Sequence, residues 1–407
     1  MNKPLDGVTI VEVATWVAAP SGAAILADLG ADVIKVEAIG GDASRGMLRQ
    51  ARQASPHAVD HPFQADNRGK RSIAVALDKP EGAAVVHRLL ESADVFLTNL
   101  LPRRQKRFGL DPAAAFVHNS TLVHATLTGY GTTGPEAERP GYDVTAFFGR
   151  SGLYESQIEG DNPPPMARTA QGDHTTGLAL ACSVLASLRL AESTGEGQIA
   201  DVSLFATAVW TLASDYAAVL VDERQPSKRA RHELISPLAN RFPCGDGRWI
   251  VLNMPEPHWW PKFCTAVDRE EFLDDVRFES VADRFHHMAE LVPMIDEAFS
   301  HRSLAEWGEL FDEAGLIWGP MQSLTETMRD PQAHALGLFP TIEHPHGTFR
   351  SIATPIRIVG ADVGPQGRAP ETGEHTLATL IGAGYSEEEI SSMVAAGVVA
   401  QGTDLAD

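Results

Sequence analysis

Three carboxylates stand where a carboxylate can do chemistry. Asp173 lies in Gln171-Gly172-Asp173-His174-Thr175-Thr176-Gly177, at the start of a long apolar helical pattern. Two readings are open for it. An aspartate there caps the free amides of a helix N-terminus, or it attacks a carbonyl as a covalent nucleophile while helix-end and glycine amides hold the oxyanion. His174 is the adjacent candidate base, although a lone histidine is more often structural. Asp143, in Arg139-Pro140-Gly141-Tyr142-Asp143, stands at a second loop-to-helix junction with the same ambiguity. Glu256 is held between Pro255 and Pro257, so it either faces a cleft or is simply solvated.

Two basic runs interrupt an acidic chain. Across 407 residues, 33 Lys and Arg face 54 Asp and Glu, a formal net charge of −21. Such a field repels a nucleic-acid backbone or an anionic membrane unless basic side chains are segregated. Arg68-Gly69-Lys70-Arg71 precedes one strand pattern, and Arg103-Arg104-Gln105-Lys106-Arg107 follows another. They either converge on one polyanion through charge-assisted bonds to phosphate or are solvated charge runs.

Other chemistries find little support. The first strand-to-helix connection, residues 14–22, has no GxGxxG, so a nicotinamide dinucleotide is not expected. His57 with His61, His286-His287 and His344-Pro345-His346 lack metal-motif spacing, and no GxSxG or Walker sequence occurs. Cys182, Cys244 and Cys264 form no CxxC pair. Neither a metal nor a permanently bound cofactor is expected. The first residues have no signal-peptide core, and the apolar stretch 177–190 reads as too short and too polar to span a bilayer. The expectation is a soluble cytoplasmic protein with no nucleic-acid or membrane partner.

The elements that must position these groups follow from periodicity. Residues 8–13, 32–37, 72–77, 94–97 and 122–127 read as strands, separated by helix-length segments such as 20–29 and 80–91. That alternation predicts an α/β fold with a parallel sheet covered on both faces. Helical patterns over 174–192 and 203–221 flank a short strand at 199–202. The expected organisation is a large Rossmann-like domain over 1–221, with a C-terminal return at 330–407. A polar linker covers 222–238, and a smaller α+β domain covers 239–329. Residues 347–358 read as strand, and Ser386 with Glu389 reads as a capping box.

With these residues in hand, the chain resembles the family III CoA-transferases, of the formyl-CoA and carnitine CoA-transferase type. The likeness runs nearly the whole length. It is carried by Pro4-Leu5-Asp6-Gly7-Val8, LADLGADVIKVE ending at Glu37, Gly41-Asp42 leading to Arg45, and Asn67-Arg68-Gly69-Lys70-Arg71-Ser72. Residues 94–99, Pro140-Gly141-Tyr142-Asp143, Gly172-Asp173-His174-Thr175-Thr176-Gly177, Thr194-Gly195-Glu196-Gly197-Gln198 and Asp330-Pro331-Gln332 complete it. The resemblance implies an interlocked homodimer that trades CoA between an acyl-CoA and a free carboxylic acid. It places the nucleophile on Asp173 and CoA contacts on Val17, Ala18, Lys70, Arg71, Asn99, Leu100, Arg107, Phe108 and Leu204. It also implies an acyl pocket with Trp16, Tyr142, Asp143, the Phe147-Phe148 region and Glu256.

Departures from formyl-CoA transferase argue against formate or oxalate. Val17 replaces a glutamine, Ala38 an arginine, and no glycine-rich lid appears around residues 244–247. The similar α-methylacyl-CoA racemases give the alternative function. They use a His–Asp pair where this chain has Tyr142-Asp143, and a phenol with pKa near 10 is a poor neutral-pH base.

Overall fold

The computed structural model describes residues 2–46, 59–226 and 230–402. His57, part of the expected linker and the last five residues lie outside that range.

Six strands build the main sheet: β1 (Thr9–Val13), β2 (Asp32–Glu37), β3 (Arg71–Val75), β4 (Val95–Thr98), β5 (Val123–Thr128) and β6 (Gln198–Ser203). The strand Val399–Ala400 adds a seventh, antiparallel to β3, and the spatial order is Val399–Ala400, β3, β2, β1, β4, β5, β6. All pairs among β1–β6 are parallel. Chain order reverses between β1 and β4, so the carboxyl ends of these strands open a crevice suited to a ligand. The helices used below are α1 (Ala18–Asp28), α2 (His61–Asn67), α3 (Pro80–Leu90), α4 (Pro102–Phe108), α5 (Pro112–His118), α6 (Gln171–Thr194), α7 (Leu204–Thr211) and α8 (Ala213–Asp222).

Several boundaries differ from the sequence expectations. The helix expected at 174 begins at Gln171, because Ala170 takes a left-handed turn (φ 69°) and opens α6 without a side-chain cap. At 24 residues, α6 is long and apolar enough by composition to cross a membrane, which corrects the reading of 177–190 as too short. Here Gly177, Leu180, Ala181 and Val184 are buried, and the helix packs on α1, β5 and β6. The single helix expected at 203–221 is two, α7 and α8, bent by 81°. Of the strand expected at 347–358, only Phe349–Arg350 pairs, with Thr341–Ile342. Pro355 has no amide to donate to a ladder.

The chain forms two compact units, one of residues 2–154, 166–222 and 332–402, the other of 155–165 and 223–331, within the described residues. The second unit has a three-stranded antiparallel sheet, Arg241–Pro243, Trp249–Leu252 and Trp318–Pro320. Phe242, Phe263, Phe299, Trp307 and Phe311 form its aromatic core.

Two features of the first unit fix the site. The first is a glycine contact. A Cβ on Gly177 would lie 2.2 Å from Ser21 Oγ, 2.8 Å from Ala18 O and 3.0 Å from Gly22 N, so α1 and α6 touch backbone to backbone. Gly177→Ala is expected to destabilise the unit by about 2 kcal/mol through overpacking, read as a lower denaturant midpoint. An unchanged midpoint would mean the helices part at no cost.

The second feature is a buried charge network. Glu12 and Lys35 are register partners on β1 and β2, and both are fully buried. Lys35 Nζ lies 3.2 Å from Glu12 Oε1 and 2.8 Å from Asp42 Oδ2, and donates to Ala14 O at 3.0 Å. Burial alone would push this ammonium down, but Glu12, Asp42 and Glu37 together hold it above the ordinary lysine range. Glu37 accepts from Arg45, from Ser72 Oγ (2.6 Å) and from the Asp42 amide (2.8 Å).

Candidate active site

A cleft of about 550 Å³ opens at the carboxyl ends of β1–β5. Its floor is small and apolar, with Ala14, Val36, Ala38, Val75 and Ala76 at the strand ends. Trp16, Val17 and Ala18 line it from the first connection, Asn99, Leu100, Arg104 and Phe108 from β4 and α4, and Leu204 from α7. Tyr142 and Asp173 complete the wall. The structure therefore brings together nine of the residues singled out from sequence: Trp16, Val17, Ala18, Asn99, Leu100, Phe108, Tyr142, Asp173 and Leu204.

The loop before α1 is held from two sides. Asn99 Nδ2 donates to Thr15 O (2.7 Å) and its Oδ1 accepts from Thr15 N (3.2 Å), while Asp42 Oδ1 accepts from Trp16 N at 3.2 Å. Trp16 sits at φ 70°, a strained setting for a bulky residue and of the kind that recurs at functional sites. Its ring meets Tyr142 edge-on at 5.9 Å. A Cβ on Gly129 would lie 2.7 Å from Gly141 Cα, so the loop carrying Tyr142 lies directly on the end of β5.

At the other end of the cleft the two readings of Asp173 separate. Asp173 is the third residue of α6, and the helix-opening amide of Gly172 is taken by Asp143 Oδ1 at 3.1 Å. Asp143, not Asp173, serves this helix end. Gly172 admits it because a Cβ would collide with Asp143 Oδ1 (2.3 Å) and Phe147 (2.4 Å). Burial raises the Asp173 carboxyl to about 7, with Asp143 and Asp66 adding repulsion and His174 opposing. Asp143 is itself pushed above the ordinary range by burial. His174 Nε2 pairs with Asp66 Oδ1 at 2.9 Å, and that bond chiefly raises the imidazole. Perturbed carboxylates in a cleft are a functional signature.

Other expected site residues lie elsewhere. The run 68–71 is consumed internally: Arg68 pairs with Asp28 (2.6 Å), Lys70 with Glu12 (2.7 Å) and Arg71 with Asp32 (2.8 Å). Lys70 is buried, donates to Pro20 O (2.9 Å), and is pushed by burial down to about 8. These three carboxylates neutralise what looked like a phosphate patch. Arg107 is exposed and stands 5.6 Å from the Phe108 ring, outside the cleft lining, whereas Arg104 reaches the lining. Phe147 and Phe148 are core residues rather than pocket walls. Glu256 belongs to the second unit and accepts from Trp259 Nε1 at 3.0 Å. Among the described residues no cluster of three metal-ligating side chains occurs.

Sequence reasoning did not single out Asp42, Asp66 or, within its basic run, Arg104, which reaches the cleft lining. Asp66 immediately precedes the Asn67–Ser72 motif and Asp42 lies in Gly41-Asp42, so proximity to quoted motifs was the available signal.

Residues 5–376 match the family described as CoA-transferase family III. The chain belongs to that family. It is an enzyme of the CoA-transferase class. It is 33% identical over 390 residues to the (R)-2-hydroxy-4-methylpentanoate CoA-transferase of Clostridioides difficile, covering 95% of this chain and 97% of that protein. It is 32% identical to the succinate–glutarate CoA-transferase of Agrobacterium fabrum, covering 93% and 95%. A CAIB/BAIF family protein from Brucella suis superposes with a TM-score of 0.82 at 30% identity, covering 94% of this chain and all of that one. The Clostridioides difficile and Agrobacterium fabrum relatives are named as CoA-transferases, which does not favour the racemase alternative for this family III chain.

Proposed function

We propose that this CoA-transferase moves CoA from an acyl-CoA to a free carboxylic acid through a covalent intermediate on Asp173. The observation that carries the reading is a half-buried carboxylate at the cleft wall, relieved of capping duty by Asp143. Asp173 attacks the thioester carbonyl and expels CoA thiolate, leaving a mixed anhydride. The thiolate attacks the aspartyl carbonyl, releases the first acid and forms an aspartyl-CoA thioester. The acceptor carboxylate then attacks that thioester, re-forming an anhydride and thiolate. Attack of the thiolate on the new acyl carbonyl releases product and restores the Asp173 carboxylate. Each thioester is exchanged for another, so no ATP is consumed. Only the ionised carboxylate attacks, so turnover should rise with pH through about 7.

In this reading Val17, Ala18, Asn99, Leu100, Phe108 and Leu204 receive CoA, and Trp16 with Tyr142 shapes the acyl end. Lys70 and Arg71 act indirectly, by holding β3 and the first connection. Arg104, exposed and without an ion-pair partner among the described residues, meets the phosphates, with Lys106 and Arg107 nearby. Arg104→Ala should raise KM for acyl-CoA roughly tenfold with kcat little changed. Added salt should raise KM in the parent more than in the variant; equal salt responses would place the phosphates elsewhere. A homodimer fits the exposed apolar side chains Trp210 (77%), Leu220 (80%) and Val221 (86%) on α7 and α8, and a cytoplasmic location fits CoA chemistry.

Isotope transfer tests the route. With a carboxylic acid labelled by ¹⁸O on both oxygens, one labelled oxygen should remain on Asp173 after turnover. Unlabelled Asp173 beside labelled product acyl-CoA would overturn the covalent route.

A further inference from the structure

A small cavity wholly within the second unit carries two donors that the surrounding protein leaves unused. Trp260 and Arg284 line it, with Glu256 and Pro257 also on its wall. Its interior is about 10 Å³, room for roughly one water-sized centre. Trp260 is 5% and Arg284 6% exposed. The guanidinium lies 4.8 Å from the Trp260 ring centre and stacks on it.

Neither donor set is satisfied. Arg284 Nη1 donates to Phe278 O (2.7 Å) and Glu279 O (3.2 Å), both neutral carbonyls. Among the described residues no carboxylate pairs with this guanidinium. Asp283, its chain neighbour, accepts instead from Ser280 N at 3.1 Å. Glu256 accepts from Trp259 Nε1. The Trp260 Nε1 is buried and has no acceptor among the described residues. Burial holds the guanidinium below the ordinary arginine range and outweighs the attraction of Asp283, which does not pair with it. An under-compensated buried cation and a buried N–H without an acceptor are each costly. Both fall on the wall of one cavity, and a neutral acceptor would answer only the second.

We propose that this cavity binds a single halide ion between the Trp260 N–H and the Arg284 guanidinium. The narrow interior excludes acetate, sulfate and phosphate. The proposal is independent of the reading of Asp173.

Bromide and thermal unfolding test it together. Crystals soaked in sodium bromide should show one anomalous peak in contact with both Trp260 Nε1 and the Arg284 guanidinium. In solution, Tm should rise saturably by about 2–4 °C in chloride or bromide over acetate or gluconate at equal ionic strength. Trp260→Phe, which keeps a ring and deletes the N–H, should lose that increment. Arg284→Met should lose it too and serves if the first variant does not fold. A cavity without bromide, a Glu256 carboxylate seated on Arg284, or an increment that survives either substitution would overturn the proposal.

Discussion

Asp173→Asn is expected to abolish CoA transfer, by at least about 10⁴-fold, while raising stability above pH 7. The activity loss follows from deleting a covalent nucleophile, whose partners cannot substitute for it. The stability gain has the opposite sign from most active-site losses. The folded-state carboxyl stands at about 7 against an ordinary 3.8, so the folded protein holds a proton that the unfolded chain releases. Stability from this group is therefore full below the unfolded value and is lost as pH rises towards 7. Asparagine cannot ionise, so above pH 7 the variant should be more stable by on the order of 2 kcal/mol, discounted for partial exposure. Below pH 4 the two proteins should unfold alike. Thermal unfolding across pH 4–8, with transfer assayed in parallel, reads both effects. A variant that loses activity and also melts earlier at pH 8 would mean that Asp173 is a structural carboxylate.

Lys35→Met is the substitution with the largest expected effect on folding. It leaves Glu12 and Asp42 buried without the ammonium that lies 3.2 Å and 2.8 Å from them. Breaking a buried pair by removing one partner costs about 3–5 kcal/mol, because the remaining charge is uncompensated. The damage should reach the cleft. Asp42 also holds the Trp16 amide, and Lys35 holds Ala14 O, so the strained turn at Trp16 loses one anchor outright and the charge that fixes the other. Denaturant unfolding should show the lower midpoint, and any folded variant should show a higher KM for acyl-CoA. A shift below about 1 kcal/mol would mean that water or Lys70 replaces the lost charge.

What was legible in the sequence depended on how local the cause was. The strand DVIKVE and the helix opened by Pro80 carry their own signals and appear close to the expected bounds, whereas the helices opened by Pro102 and Pro112 were not expected. The Ser386–Glu389 capping box is present, with Ser386 N donating to Glu389 Oε2 at 2.8 Å. The start of α6 was missed because a left-handed alanine at position 170 has no sequence signature, and without it the capping reading of Asp173 stayed open beside the nucleophilic one. The basic run 68–71 stayed open between its two readings for another reason. Its neutralising partners Asp28, Glu12 and Asp32 come from distant positions, and only the parallel register brings them together. Gly22 and Gly177 were unremarkable as letters, yet their backbones set the distance between α1 and the helix carrying Asp173.

A covalent aspartyl-CoA on Asp173 is visible by mass spectrometry. The purified enzyme is incubated with acyl-CoA and no acceptor acid, then digested. A CoA adduct on the peptide containing Asp173, discharged by hydroxylamine, is the predicted result. Exchange that proceeds with no adduct, or with the adduct on another residue, would contradict the account.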